Sequence, residues 1–201
     1  MGEAGIFGED DRLELLEGEL FDMATVGSMH VSTLNRLVHL LYPARDQAIL
    51  SVQNPVALSG SEPQPDIALL KLGNYWDRLP TAEDVLLLIE LADSTAQHDR
   101  EKKIPLYARC GIVETWLVDV KAKRVEIYRE PSPEGYRTLL IRGERDCVAP
   151  LALPEVTLIT SDSRILSQGL DMPKTEQQKS ASKPGYDHGT HEAFFHYYAE
   201  Q

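Results

Sequence analysis

Val85-Leu86-Leu87-Leu88-Ile89-Glu90-Leu91 reads as a β-strand covered on both faces. Its aliphatic side chains run on without the polar alternation of a strand that has one wet face. Such a strand belongs at the middle of a sheet. Pro65-Asp66-Ile67-Ala68-Leu69-Leu70 has the same character and supplies a second central strand. Upstream, Leu13 to Phe21 splits into two short stretches around Glu17-Gly18, the pattern of a hairpin. Val31, Leu34, Leu37, Val38 and Leu41 recur at helical spacing, with Ser28 placed as N-cap. Ile49 to Leu58 is extended, with Asn54-Pro55 forcing an irregularity.

Downstream, Gly73 to Pro80 is a loop whose Tyr75 and Trp76 are either pinned to the domain or exposed for contact. Residues 96–110 favour a helix that Pro105 must start, kink or interrupt. Glu114 to Asp119, Arg124 to Arg129 and Tyr136 to Ile141 then form an antiparallel meander, the first two joined by Lys121-Ala122-Lys123. Helices interleaved with strands, and an antiparallel second half, indicate an α/β (α+β) fold with one mixed central sheet flanked by helices. A chain of 201 residues with 42% hydrophobic content can bury one sizeable core and rarely two, so a single domain is expected over residues 1–166. Residues 167–201, rich in Ser, Gln, Lys, Gly and Pro, are expected to form a disordered tail. Within it, Phe194-Phe195-His196-Tyr197-Tyr198 is sticky enough for a helical turn.

Several function classes lose support. The aliphatic run that begins at Val85 falls far short of the roughly 20 residues a membrane helix needs, and the first residues lack a basic, apolar leader. A cytoplasmic protein is expected. Cys110 and Cys147 are the only cysteines, too few for a disulfide framework or a zinc site of their own. His191-Glu192 and His196 miss the four-residue histidine spacing of a zinc protease, and neither a P-loop nor a Gly-x-Ser-x-Gly elbow is present. The net charge of −12 weighs against a nucleic-acid partner. Its distribution tempers that, because residues 1–99 hold 5 basic and 17 acidic side chains whereas residues 100–145 hold 11 and 7. A basic docking face remains open.

The chemistry rests on carboxylates that interrupt apolar strands. An ionised Glu90 behind five aliphatic residues carries a desolvation cost that only a partner, a metal or a proton relieves. Asp66 opens the other central strand. If the two strands are neighbours, both carboxylates meet at one end of the sheet, a donor set that suits Mg2+ or Mn2+ with waters and phosphate oxygens. Lys103 is the candidate cation for stabilising charge on a phosphodiester, since Asp99, Lys103 and Tyr107 follow one another at i, i+4 on a helix.

Ile89-Glu90-Leu91-Ala92-Asp93-Ser94-Thr95, Asp99-Arg100, Lys103, Pro105-Leu106-Tyr107-Ala108, Gly111-Ile112 and Glu114 to Asp119 together resemble the signature of the Uma-two family, in the PD-(D/E)XK nuclease superfamily. Leu13 to Glu19 with His30, Gln53-Asn54-Pro55-Val56 and Pro63-Gln64-Pro65-Asp66 extend the likeness over most of residues 12–119. The resemblance implies a restriction-endonuclease-like fold and Asp66 and Glu90 as metal ligands, with the Leu91 carbonyl as a third. It also implies Glu14 as an early acidic residue of the catalytic set. The superfamily's lysine normally lies two residues after the second carboxylate, where this chain has Ala92. The family pattern moves that lysine to Lys103, with Lys102 as fallback. His30 reads as a helix-start residue outside the catalytic set. Family members usually carry a short element before the stretch equivalent to Gly2 to Phe7, so a shortened start is expected. The expected function is divalent-metal-dependent hydrolysis of DNA phosphodiester bonds, with a homodimer if both strands are cut. The alternative is an inactive nuclease fold that binds protein or nucleic acid.

Overall fold

The computed structural model describes residues 13–22 and 27–159. It places the aliphatic run in β5 (Val85–Ala92), third in a six-stranded sheet. The other strands are β3 (Ala48–Val52), β4 (Ile67–Lys71), β6 (Glu114–Asp119), β7 (Arg124–Ser132) and β8 (Gly135–Arg142), in the order β3-β4-β5-β6-β7-β8. β5 and β6 are parallel and every other neighbouring pair is antiparallel, so the sheet is mixed as expected. The parallel pair needs a crossover, and residues 96–109 provide it as a helical segment. β1 (Leu13–Leu16) and β2 (Glu19–Asp22) form the expected hairpin as a separate two-stranded sheet. β9 (Cys147–Val148) and β10 (Leu158–Ile159) form another. All the described residues belong to one unit, Met1–Leu170. The expectations for residues 167–201, for the aromatic turn at 194–198 and for the chain start lie outside the described residues.

Both faces of β5 are covered, which is why its sequence does not alternate. Leu87, Ile89 and Leu91 join Ile67, Leu69, Trp116, Val118, Val125 and Ile127 in one core cluster with Leu34, Leu37 and Leu41 of α1 (Ser28–Leu41). Leu88 and Ala68 face the other way, toward Leu106, Tyr107 and Ile112 of the crossover. The helix on the first face is rotated from its expected setting. Thr33, Leu34, Leu37 and Leu41 are buried, whereas Val31 is exposed. The N-cap is Gly27 rather than Ser28, which is the first helical residue.

β3 stops at Val52 instead of running to Leu58. Gln53 takes a positive φ of 51°, and Pro55 has no N–H for a ladder, so the chain leaves the sheet there. The crossover is not one regular helix either. It comprises α2 (Ala96–His98), a π-helical turn (Asp99–Lys103) and α3 (Ile104–Arg109). Pro105 lies in the first turn of α3; it can donate no bond to the turn before it, and a wider turn accommodates the gap. Gly111, at φ 80°, closes α3 in a Schellman motif, with Gly111 N–H donating to Ala108 O and Ile112 N–H to Tyr107 O. Trp76 is exposed, while Tyr75 is tied by its hydroxyl to the Lys71 carbonyl. No helix among the described residues is long and apolar enough to cross a membrane.

Arg100 fastens the crossover to the sheet. Its guanidinium reaches Asp119 at 2.6 Å and Glu126 at 2.9 Å, and both carboxylates are buried. Arg100→Met leaves these carboxylates with Arg124 as their remaining cation, 2.7 Å from Glu126 and 3.9 Å from Asp119, beside the Tyr128 hydroxyl on Glu126 and the Ala122 N–H on Asp119. The expected loss is about 3 kcal/mol, the lower end for breaking a buried pair. Urea denaturation checks it, and a loss below about 1 kcal/mol would mark the pair as solvent-screened.

Candidate active site

The register of the sheet brings the two singled-out carboxylates to one end. Ile67 pairs with Ile89 in antiparallel ladder, so Asp66, one residue before β4, lies across from Glu90. Asp66 Oδ2 accepts the backbone N–H of Leu91 at 2.8 Å. The N–H and C=O of one strand residue point to the same side, and the Leu91 carbonyl is therefore on the Asp66 side of β5. Asp66 Oδ1 lies 2.8 Å from His30 Nε2 and accepts a longer bond, 3.2 Å, from Gln53 Nε2.

Glu90 projects toward the crossover, in company with Leu88. Its Oε1 accepts the Tyr107 hydroxyl at 2.5 Å, and Lys103 Nζ is 3.4 Å from Oε2. The same ammonium lies 3.0 Å from Glu14 Oε2. Glu14, Glu90 and Lys103 are all buried. The structure thus brings Glu14, Glu90, Lys103 and Tyr107 into one network, with Asp66 at the adjoining strand end. Lys102, the fallback, is exposed. Asp99 is buried beside this network and held by the Thr95 hydroxyl at 2.8 Å.

Burial pushes the Glu90 carboxyl up to about 8; Asp99 and Asp66 add to the rise, and Lys103 and Tyr107 oppose it. Burial works against charge on Lys103 too, but Glu90, Glu14 and Asp99 outweigh it and hold the ammonium above the ordinary lysine range. Burial and the neighbouring Glu90 raise Tyr107 well above a free phenol, so it stays a hydrogen-bond donor. A permanent cation therefore faces a carboxyl that needs positive charge before it will ionise.

Among the described residues, no three His, Cys, Asp or Glu side chains stand ready as a cage for a metal ion. Magnesium does not require one, since one or two carboxylates with waters suffice. Asp66, Glu90 and the Leu91 carbonyl offer hard oxygen atoms of that kind, and Glu90, whose burial raises its pKa despite Lys103 and Tyr107, would ionise more readily beside a bound dication. The donor chemistry fits the ion. Two partners escaped the sequence reading. His30 sits where 30, 34, 37 and 41 share one helix face, so its inward aim was readable from the spacing of the buried leucines. Gln53 reaches Asp66 only because the chain turns at the end of β3, which carries no comparable signal.

Residues 3–161 match the model of the Uma2 family, described as "Putative restriction endonuclease". The chain belongs to that family. Restriction-endonuclease-like families generally use divalent metals. Among solved structures, this Uma2 chain resembles that of a putative nuclease belonging to DUF820 from Anabaena variabilis. The TM-score is 0.64 at 18% identity, over 80% of this chain and 93% of that one. At that identity the likeness speaks for the fold, here the α+β arrangement of a mixed sheet with helices. No curated protein matches the chain.

Proposed function

We propose that this Uma2 chain is a divalent-metal-dependent endonuclease that hydrolyses DNA phosphodiester bonds at the Asp66–Glu90 end of the sheet. The observation that carries the reading is the placement of Lys103. The position where the superfamily keeps its lysine is Ala92, and a buried ammonium from the crossover instead arrives at Glu90. Asp66, Glu90 and the Leu91 carbonyl would hold Mg2+ or Mn2+. When bound, such an ion supplies an activated water and neutralises charge on the phosphodiester. Lys103 presents a fixed positive charge to the phosphoryl oxygens, preorganised by Glu14 and Glu90. Tyr107 holds Glu90 in place. Hydrolysis adds water across one P–O bond, leaving a phosphate on one fragment and a hydroxyl on the other.

One observation favours a second reading, a retired nuclease fold that binds protein or nucleic acid without cutting. The oxygens of Glu90 and Asp66 already have protein partners, so the end of the sheet is self-satisfied. Cleavage of plasmid and single-stranded DNA with Mg2+ or Mn2+ separates the two, comparing the parent with a folded Asp66→Ala/Glu90→Ala chain. The expected result is cutting by the parent and none by the double variant. Equal activity in both would place the activity elsewhere, and no cutting or metal binding by either would favour the binding module. Linear plasmid, rather than nicked circles, would reflect two sites acting together, which we assign to a homodimer.

A further inference from the structure

The histidine beside Asp66 does more than begin a helix. His30 is the third residue of α1 and is largely buried. It comes from the opposite face of the sheet to Lys103, so the end of β4 and β5 is approached from both sides. Its Nε2 lies 2.8 Å from Asp66 Oδ1, the nearest side-chain approach to that carboxylate. Without an ion, an ionised carboxylate accepts only, so Nε2 carries the proton of this contact. With the proton on Nδ1 instead, Nε2 offers a lone pair at the same point. Two donors held side by side by an octahedral ion with bonds of about 2.1 Å stand roughly 3 Å apart, close to the spacing present.

We infer that His30 is a cation ligand paired with Asp66, and that the site takes a first-row transition dication in preference to magnesium. The inference rests on the metal-site reading above and names its ion class. Magnesium seeks oxygen donors almost exclusively, whereas an imidazole raises affinity for manganese and the later transition ions. The self-satisfied arrangement of Glu90, both of whose oxygens face the crossover, makes His30 the readier second donor to an ion on Asp66.

Mn2+ alone, added to the full chain, tests this by its electron spin echo modulation and by titration calorimetry. The expected spectrum shows coupling to an imidazole 14N. His30→Gln keeps a hydrogen-bond donor for Asp66 and should abolish that coupling. It should weaken Mn2+ binding at least about tenfold while changing Mg2+ binding much less. Circular dichroism of the variant checks its fold, and the parent spectrum decides the question without any variant. Bound Mn2+ with no nitrogen coupling in the parent overturns the inference and makes His30 a positioning residue for Asp66. So does a His30→Gln chain that loses Mn2+ and Mg2+ equally. Failure of the underlying site looks different: the parent binds no Mn2+, or Asp66→Asn binds it as tightly as the parent does.

Discussion

Lys103→Met is expected to slow metal-dependent DNA cleavage by about 100- to 1000-fold, the scale of removing one preorganised group from a transition state. The lysine is the cation at the strand end that stays charged by construction, because Glu90, Glu14 and Asp99 together outweigh its burial. A methionine fills similar volume and supplies no charge. Lys103→Arg should recover part of the loss, since the charge returns on a planar, bulkier head that fits the gap between Glu14 and Glu90 less well. Single-turnover rates at saturating Mg2+ and Mn2+ read both variants. The ion pair that is broken costs stability, about 3 kcal/mol or less, because Glu90 can take up a proton when its cation goes. Melting curves therefore accompany the rates. A folded Lys103→Met chain that cuts within a few-fold of the parent would reduce Lys103 to a counter-ion of the core.

The second large effect concerns stability, and its sign runs against the usual carboxylate. Burial raises the Glu90 pKa to about 8 from the ordinary glutamate value of 4.5. A group raised in the folded state contributes fully below its unfolded value and loses that contribution as pH rises through the folded one. In chelator, Glu90 should thus cost the parent up to about 1.4 kcal/mol for each pH unit between 4.5 and 8. Glu90→Gln removes this cost and keeps an acceptor for Tyr107. The variant should overtake the parent as pH rises, be clearly more stable at pH 8, and bind divalent ions poorly. A dication restores the parent by favouring the ionised carboxylate, the pattern of a site whose function opposes its stability. Urea unfolding at pH 5 and pH 8 measures the difference. A gap between the two chains that does not widen with pH would sink the argument.

The central pair of strands was readable from residues 66–70 and 85–91 because continuous burial leaves a period-free apolar run, and a carboxylate inside it is conspicuous. The meander at residues 114–141 and the hairpin at 13–22 were readable from local alternation and turn chemistry. The likeness to Uma-two supplied Glu14, which by itself is one acidic residue among many. Helix and strand ends were less legible. Ser28 has the right chemistry for a cap, yet Gly27 takes the position, and β3 ends at Val52 because Gln53 leaves the strand region.

Sequence by itself determined the fold class, the order of the elements and the family, since each depends on patterns between residues close in the chain or on motifs matched one after another. Tertiary structure alone decided which polar groups meet. Lys103 reaches Glu14 across 89 positions and Glu90 across 13, and whether it points inward depends on a π turn that no local propensity specifies. His30 meets Asp66 because α1 packs with the face bearing Leu34, Leu37 and Leu41 toward the sheet. Local periodicity reports which side of an element is apolar. Which polar atom stands opposite is set by register and crossing geometry, and these exist only once the layers have packed.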